Sequence, residues 1–372
     1  MSGLIVFAGG GSGGHLSPGL AVAERLAEQD PTVRTLFLCS QRPIDATMLT
    51  EAGAAYEPIT ASGLSVRPGR LARFVLDNRR GRREAERIMA ADRPDRVVAL
   101  GGFVAAPIVA AARRTGVAVT LMNLDNPPGK ANRWMARRCV PGRDEVLSAV
   151  PLPDFPGFAS EVIGMPVRRR ALAVDDAASC RSSLGLDPQR RTLLVTGASQ
   201  GAGSINDLMA HLVSHHAERF ADWQVYHLTG SGAVDRVRAA YENAGVAGRV
   251  EAFEHDMGRA WGAADLAVSR AGASSVAEAA SNAVPAVFLP YPHHRDAHQR
   301  RNAEPLERIG GAVIVEDAVD PAVNAETVGP AVLNLLDDGA TLERMKQALR
   351  ANRPPDAAAV LAGRLLEQTA SG

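Results

Sequence analysis

Aromatic residues and cysteines are both scarce in this chain. Phe, Trp and Tyr together make up 4% of its 372 residues, whereas all hydrophobic residues make up 46%. The cores must therefore be mainly aliphatic, which favours helices packed on parallel sheets over a β-sandwich. The three cysteines, Cys39, Cys139 and Cys180, follow no metal-binding or disulfide spacing, as is typical of a protein of a reducing compartment.

The chain also lacks an excess of charge and a long apolar run. Its 41 basic and 41 acidic side chains give a formal net charge of zero, which argues against a nucleic-acid partner. No apolar run reaches the ~18–20 residues that span a bilayer. The N-terminus begins directly on an apolar strand and shows no signal peptide. We therefore expect a protein that is soluble or peripheral to a membrane.

Strand-like and helix-like segments alternate in two successive sets, with four predicted strands in the first and six in the second. This order predicts an α/β fold whose parallel sheets carry helices on both faces. We predict two Rossmann-like domains facing a cleft, over residues 1–164 and 165–340, with a proline-rich stretch at 150–157 before the boundary. A helical segment over 341–372, interrupted by two prolines, completes the chain.

A glycine-rich segment at residues 9–15, Gly-Gly-Gly-Ser-Gly-Gly-His, lies between the first strand and a helix predicted over 18–29. Such a turn exposes backbone N–H groups at the positive end of a helix dipole and favours a phosphate or diphosphate. It matches G-x-G-x-x-G, but the second strand ends Cys39-Ser40-Gln41, without the acidic residue of a dinucleotide site. His15 at the rim can accept a proton from an attacking hydroxyl, and a capping or surface histidine is the alternative.

Further candidate ligand-binding features lie in the second half. Residues 197–204 form another glycine- and serine-rich turn between a strand and a helix, which can bind a second diphosphate. Glu278 lies about one turn into a helix led by small residues, where its carboxylate can accept two hydrogen bonds from a vicinal diol such as a ribose. On the next helix, His298, Gln299 and Asn302 can converge on one ligand. The alternative for residues 197–204 is an ordinary turn, that for Glu278 is a surface glutamate, and that for the last three residues is a solvated helix start.

Taken in order along the chain, these stretches resemble the MurG family, the UDP-N-acetylglucosamine transferases that complete the lipid-linked peptidoglycan precursor. The resemblance implies the GT-B architecture, with a C-terminal helix that returns to the first domain. It also implies inverting transfer of GlcNAc from UDP-GlcNAc to an undecaprenyl-pyrophosphate-linked MurNAc-peptide. No metal or other cofactor is expected, and the Asp-x-Asp motif of many other sugar transferases does not occur. The matching stretches are residues 9–15, 18–23, 62–64, 101–104, 164–168, 197–201, 253, 256–257, 264–266, 270–278 and 298–303.

The resemblance also implies roles for individual residues. His15 would be the catalytic base, and the acceptor side with its phosphate loop would comprise Gly11, Ser12, Gly13, Gly14 and Asn126. The donor-binding residues would be Arg168, Ser199 and Gln200 at the phosphates, Phe253 and Glu254 near the uracil, Glu278 at the ribose, Ala273 and Ser274 at the helix start, and His298 and Gln299 at the sugar.

A basic segment of the first half carries an apolar cluster. Residues 70–87 contain seven arginines and three acidic residues, a local charge of +4, together with Leu71, Phe74 and Val75. Such a segment suits docking on anionic lipid. The alternative is a solvated helix packed through these apolar side chains. Together with the resemblance, the segment predicts a protein peripheral to the cytoplasmic face of the cell membrane, whose partners are UDP-GlcNAc, the lipid-linked acceptor and an anionic membrane surface.

The chain departs from the family pattern on the acceptor side. In place of a His-Glu-Gln-Asn-like stretch it has Asn123-Leu124-Asp125-Asn126, so that an apolar residue stands at the charged position and Asp125 could compensate. Phe103 replaces the usual tyrosine. Three alternatives therefore stay open: a related transferase with another lipid-linked or glycolipid acceptor, a UDP-GlcNAc 2-epimerase-like enzyme, and a binding protein without chemistry.

Overall fold

The computed structural model describes residues 3–11, 13–64, 68–197, 201–292 and 298–370. The chain divides into two compact units, one of residues 1–168 with 355–372 and one of residues 169–354. The boundaries of the predicted domains lie at 164/165 and 340/341. Within the described ranges, no helix combines the length and apolar character needed to cross a membrane.

The first unit is a parallel sheet covered by helices. Its elements are β1 Leu4–Ala8, α1 Gly13–Gln29, β2 Arg34–Cys39, α2 Pro43–Glu51, β3 Tyr56–Pro58, α3 Pro68–Asp92, β4 Arg96–Ala99, α4 Gly102–Thr115, β5 Ala118–Asn123, α5 Lys130–Ala136, β6 Glu145–Ser148, β7 Glu161–Val162 and the last helix of the chain, α15 Ala357–Ala370. The strand order is β3-β2-β1-β4-β5-β6-β7. β1 can lie inside this sheet because all of its side chains are apolar and buried.

The second unit repeats this plan with six strands. Its elements are α6 Ala177–Ser183, β8 Arg191–Thr196, α7 Gly203–His215, β9 Trp223–Leu228, α8 Val234–Ala244, β10 Gly248–Glu251, α9 Met257–Ala263, β11 Leu266–Ser269, α10 Ala273–Asn282, β12 Ala286–Phe288, α11 His298–Arg308, β13 Ala312–Ile314, α12 Pro321–Thr327, α13 Gly329–Asp337 and α14 Gly339–Ala351, with 3-10 turns at Arg169–Ala171 and Ala217–Phe220. The strand order is β10-β9-β8-β11-β12-β13.

The predicted α/β class with parallel sheets is confirmed, and all ten predicted strands are present. The strands that sequence analysis missed, β3, β6 and β7, have two to four residues each and leave too short an apolar run to recognise. Helix α1 begins at Gly13, earlier than the proline that the prediction took as its start. The helical pattern of residues 325–337 predicts a single helix, but the structure has two in this region, α12 and α13.

Each sheet has a point at which its strand order reverses. In the first unit it lies between β1 and β4, and in the second between β8 and β11. Because all these strands are parallel, the loops that follow the two neighbours meet at one edge, where open α/β sheets bind ligands. Residues 9–11 and the pair Gly101-Gly102 meet in this way, as do residues 197 and 201–202 with residues 270–272.

Helix α15 packs on α1 within the first unit. Its Leu361 and Leu365 are fully buried in the same core as β1. Arg25 of α1 donates from Nε to Oδ2 of Asp356 at 2.9 Å and from Nη2 to the carbonyl of Val167 at 3.3 Å. One buried guanidinium therefore holds both the segment where the chain leaves the first unit and the segment where it returns.

Candidate functional site

The first glycine-rich loop folds against the loop that follows β4. Gly10 and Gly11 have φ angles of 146° and 87°, which side chains rarely allow. A Cβ on Gly11 would lie 2.7 Å from Cε1 of Phe103, and one on Gly102 would lie 2.6 Å from the carbonyl oxygen of Gly10. These glycines are therefore required for contact between two protein loops, and not only for the approach of a ligand.

An acidic residue that sequence analysis missed holds this loop. Asp45, fully buried in the first turn of α2, accepts hydrogen bonds at Oδ2 from the N–H of Gly11 at 2.8 Å and from the hydroxyl of Ser40 at 2.6 Å. The carbonyl of Gly11 accepts from Nη1 of Arg42 at 2.6 Å. Since both backbone groups of Gly11 are bound within the protein, the amides of the first turn of α1 are those suited to an anion.

His15 lies half-buried in the first turn of α1, beside the glycine pair that follows β4. A Cβ on Gly101 would lie 3.2 Å from its Cδ2, and one on Gly102 would lie 3.7 Å from its Nδ1. Burial lowers the pKa of His15 below its ordinary value, while the negative charges of Asp125 and Asp45 act in the opposite direction. The imidazole is therefore neutral near pH 7, which is the state that accepts a proton.

The stretch after β5 divides between the core and the surface. Leu124 is 3% exposed and belongs to the core around β1, so the side chain at this position forms no hydrogen bond or ion pair. Asp125 is half-buried and its charge acts on His15. Asn126 donates from Nδ2 to the carbonyl of Pro151 at 3.1 Å, while its Oδ1 is buried and has no hydrogen-bond partner among the described residues.

Arg168 is the last residue of the first unit, and its side chain is buried. Its Nε donates to Oε1 of Glu24 on α1 at 2.8 Å. Its Nη1 is buried and has no hydrogen-bond partner within the described part of the chain. The guanidinium predicted for the donor diphosphate is thus held by the helix that follows the first glycine-rich loop.

In the second unit, Glu278 lies in the second turn of α10 and is half-buried. Its Oε2 accepts a hydrogen bond of 2.8 Å from Nε1 of Trp261 on α9. Burial raises the pKa of Glu278 to about 7, against the effects of this hydrogen bond and of the positive charge of Arg170. Ala273 and Ser274 form the start of the same helix, after an N-cap glycine, and are also half-buried.

The polar residues of α11 hold neighbouring loops. Gln299 accepts at Oε1 from the N–H of Tyr291 at 2.8 Å, and Asn302 donates from Nδ2 to the carbonyl of Ala271 at 3.2 Å. The second bond brings α11, which begins at His298, beside the start of α10. The side chains of Gln299 and Asn302 are thus partly used within the protein.

The residues predicted to lie near the uracil, Phe253 and Glu254, are in a turn after β10. Phe253 is 47% exposed, and its ring meets His255 edge-on at 4.9 Å between centroids. Both oxygens of Glu254 are occupied, one by the hydroxyl of Tyr226 at 2.7 Å and the other by the N–H of Asp256 at 2.8 Å. The carboxylate therefore shapes this turn. Ser12, Ser199 and Gln200, also predicted for the site, lie outside the described residues.

A buried ion pair that sequence analysis missed supports this edge of the second sheet. Arg270, directly after β11, pairs with Asp317 through Nη1 at 2.5 Å and donates from Nη2 to Oγ of Ser204 at 2.8 Å. The only signal in the sequence is a charged residue that follows a buried strand. In the described ranges, no group of three or more His, Cys, Asp and Glu side chains is arranged to hold a metal ion.

Two family models match the chain, the glycosyltransferase family 28 N-terminal domain over residues 5–140 and its C-terminal domain over residues 192–361. A relative from Geobacter sulfurreducens is 33% identical over 98% of both chains, and one from Clavibacter michiganensis is 37% identical over 96% of this chain and 94% of its own. Both are named UDP-N-acetylglucosamine--N-acetylmuramyl-(pentapeptide) pyrophosphoryl-undecaprenol N-acetylglucosamine transferase. The chain belongs to the MurG family of glycosyltransferases.

Solved structures agree with this membership. MurG of Acinetobacter baumannii superposes with a TM-score of 0.74 at 25% identity, over 98% of this chain and 99% of its own. The kitacinnamycin glycosyltransferase, at 20% identity, and a putative UDP-N-acetylglucosamine 2-epimerase of Listeria monocytogenes, at 16%, have TM-scores of 0.64 and 0.63 and show the fold alone. The predicted family and its GT-B fold are thereby confirmed.

The roles of individual residues in this MurG-family chain stay predictions. The structure brings His15 together with the two glycine-containing loops of the first unit and with Asp125. In the second unit it brings Glu278 and the start of α10 beside α11.

Proposed function

We propose that the chain transfers GlcNAc from UDP-GlcNAc to the MurNAc-peptide of a lipid-pyrophosphate acceptor and forms a β-1,4 bond with inversion. The observation that carries the proposal is the match, over 98% of both chains, to a relative named for this reaction. Both units, and not one binding domain, are shared with these relatives. The residues of each unit support the proposal in a different way.

On the donor side, the second unit holds the nucleotide. Glu278 is the acceptor for the two ribose hydroxyls, because a carboxylate is acceptor-only and offers about four lone-pair sites. The start of α10 carries small residues, Ala273 and Ser274, against which a ligand can lie. Ser199 and Gln200 complete the donor side of the second unit at the diphosphate, and Phe253, Glu254, His298 and Gln299 at the base and sugar. Arg168 is proposed for the same diphosphate, although it is the last residue of the first unit.

On the acceptor side, His15 is the base. The acceptor hydroxyl attacks the anomeric carbon while the bond from that carbon to the diphosphate oxygen breaks. UDP leaves with the electron pair, and the proton of the hydroxyl passes to the neutral imidazole. Amides of Gly13 and Gly14 and the side chain of Asn126 hold the acceptor in this proposal, and positive groups at the donor diphosphate stabilise the departing charge.

Two residues of the proposed acceptor side favour a second class of acceptor. Leu124 is buried at the family's charged position, and Phe103 carries no hydroxyl. The guanidinium of Arg42 instead lies over the Phe103 ring, 5.4 Å from its centroid. These two differences lie on the acceptor side, and they favour a lipid-linked acceptor whose sugar or peptide differs from that of the relatives.

We also propose that α3 docks the enzyme peripherally on the cytoplasmic face of an anionic membrane. Leu71 and Val75 are exposed, as are Arg79, Arg83 and Arg87 at the same spacing of four residues. The alternative of a helix packed through its apolar residues is therefore not favoured. The acidic residues of the segment are paired, Asp77 with Arg73, Glu84 with Arg80, and Glu86 with Arg82 and Arg114.

The transfer is tested by incubating the purified enzyme and labelled UDP-GlcNAc with and without a lipid-linked MurNAc-peptide. We expect acceptor-dependent release of UDP and a lipid product heavier by one GlcNAc, identified by mass spectrometry. Acceptor-independent formation of free GlcNAc or its 2-epimer would contradict the proposal. A second incubation with lipid-linked acceptors of other sugar composition decides between the two acceptor classes.

A further inference from the structure

A buried tryptophan donates its hydrogen bond to the predicted ribose-binding carboxylate. Trp261 of α9 is 1% exposed and packs in the core that includes Phe288 and Val276. Its Nε1–H lies 2.8 Å from Oε2 of Glu278 on α10. Buried indoles need an acceptor for their single donor, and here the acceptor is an ionisable side chain of another helix.

A second buried tryptophan of the same unit shows the ordinary solution. Trp223 is also 1% exposed, and its Nε1 donates to the backbone carbonyl of Leu336 at 3.0 Å. A backbone carbonyl satisfies an indole without involving a charge. The contact of Trp261 therefore does more than satisfy the indole, because it also fixes one oxygen of Glu278.

The helix that carries Glu278 is itself anchored one turn beyond the carboxylate. One turn further on, Asn282 donates from Nδ2 to the carbonyl of Ala171 at 2.8 Å and accepts at Oδ1 from the N–H of Ala173 at 2.8 Å. These bonds fix α10 against the 3-10 turn of residues 169–171. Arg170 of that turn is the charged group whose field acts on the carboxylate.

We propose that Trp261 is a positioning residue for the ribose of the nucleotide donor. Its indole N–H occupies one lone pair of Glu278 Oε2, sets the plane of the carboxylate, and directs the remaining lone pairs to the 2′- and 3′-hydroxyls. The bond also favours the ionised carboxylate, since a donor stabilises the charged form of an acid. The inference rests on the proposed donor site and adds to it the residue that orients the ribose contact.

The test compares two nucleotides that differ only in the groups that Glu278 would bind. UDP and 2′,3′-dideoxy-UDP are titrated calorimetrically into the full-length wild-type protein, Trp261→Phe, Glu278→Gln and the matched control Trp223→Phe. We expect Trp261→Phe to weaken UDP about tenfold, the usual effect of one hydrogen bond to a charged group. Trp261→Phe is expected to bind dideoxy-UDP with unchanged affinity. Trp223→Phe is expected to bind both UDP and dideoxy-UDP with unchanged affinity.

A purely structural role of Trp261 would give a different result. It would weaken both nucleotides equally, and equal losses would overturn the inference. If Trp261→Phe does not fold, 3-benzothienylalanine placed at position 261 keeps the bicyclic shape and lacks only the N–H donor, with the same selective loss expected. Unchanged binding of both nucleotides by the folded variant also overturns the inference.

The controls separate this inference from the proposed function. If wild-type protein prefers UDP over dideoxy-UDP and Glu278→Gln abolishes the preference while Trp261→Phe retains it, the inference alone fails. If wild-type protein binds both nucleotides equally, the assignment of Glu278 to the ribose fails, and the inference fails with it.

Discussion

The carboxylate of Asp45 accepts a hydrogen bond of 2.8 Å from the backbone N–H of Gly11. This bond joins the first turn of α2 to the glycine-rich loop, although 34 residues separate the two positions. The same oxygen binds the N–H and the hydroxyl of Ser40 at the end of β2. The shape of the loop on which the acceptor site depends is therefore set by a buried carboxylate.

Replacing this carboxylate is expected to destabilise the first unit. Asp45→Ala leaves the N–H groups of Gly11 and Ser40 without their acceptor, and we expect a loss of about 2–4 kcal/mol in the free energy of unfolding, measured in urea. Asp77→Ala is the matched control, because it breaks only a surface pair with Arg73 and should cost about 0–1 kcal/mol. Equal effects of both variants would contradict the role of Asp45.

Removal of the base is expected to affect turnover far more than donor binding. His15→Ala should lower kcat by about 10²–10⁴-fold, the usual contribution of general base catalysis. UDP affinity should be unchanged, since Glu278 and the start of α10 belong to the other unit. Steady-state kinetics and calorimetry check the two statements, and unchanged turnover would remove His15 from this role.

The pH profile tests the environment of the same histidine. Because burial lowers the pKa of His15, kcat/KM should fall on the acid side with a midpoint below about 6.5. Asp125 acts in the opposite direction, so Asp125→Asn should move this acid limb to still lower pH. Asp235→Asn, at an acidic residue of the second unit whose side chain is 97% exposed, is the control. A limb that stays in place in Asp125→Asn would show that Asp125 does not act on the base.

The sheets and the positions of both glycine-rich loops could be predicted because apolar runs such as Leu4–Ala8 and turn residues are local signals. The hydrogen-bond partners of the site residues could not be predicted from such local signals. The dinucleotide-site pattern places an acidic residue at the end of β2, whereas the carboxylate that reaches the loop comes from α2. Trp261 likewise meets Glu278 only when α9 and α10 pack together. The burial of Leu124 could not be predicted either, since it follows from tertiary packing.

Donor binding is expected to depend on pH through Glu278. Its pKa is raised to about 7, and the ribose hydroxyls bind best to the ionised form. UDP affinity should therefore weaken as the pH falls through 7, and Glu278→Gln should bind weakly at every pH. Calorimetry over roughly 1.5 pH units on either side of that value, from about pH 5.5 to about pH 8.5, checks this. A slope retained in Glu278→Gln would assign the dependence to another group.

The raised pKa of Glu278 has the opposite pH dependence for the stability of the fold. A carboxyl whose folded pKa lies above its unfolded value contributes stability at pH values below the unfolded pKa, and this contribution is lost as the pH rises through the folded pKa. Glu278→Gln should therefore remove a decrease in stability between about pH 4.5 and 7. Urea unfolding of both proteins across this range measures the difference.

Membrane docking through α3 is expected to be electrostatic. Reversing the exposed residues Arg79, Arg83 and Arg87 to Glu should lower binding to anionic vesicles by at least about 10²-fold, since each basic residue near such a surface contributes about 1 kcal/mol. Arg344, Arg350 and Arg353 are exposed in the second unit, and their reversal to Glu is the control with the same change in net charge.

Sedimentation with vesicles of anionic and neutral lipid at two salt concentrations measures this binding. Added salt should weaken the binding of wild-type protein to anionic vesicles, because screening shortens the reach of the arginine charges. The apolar pair Leu71 and Val75 would still contribute at high salt, since burial of apolar surface is not screened. Equal binding to neutral and anionic vesicles, or equal losses in the two reversed proteins, would contradict docking through the arginines of α3.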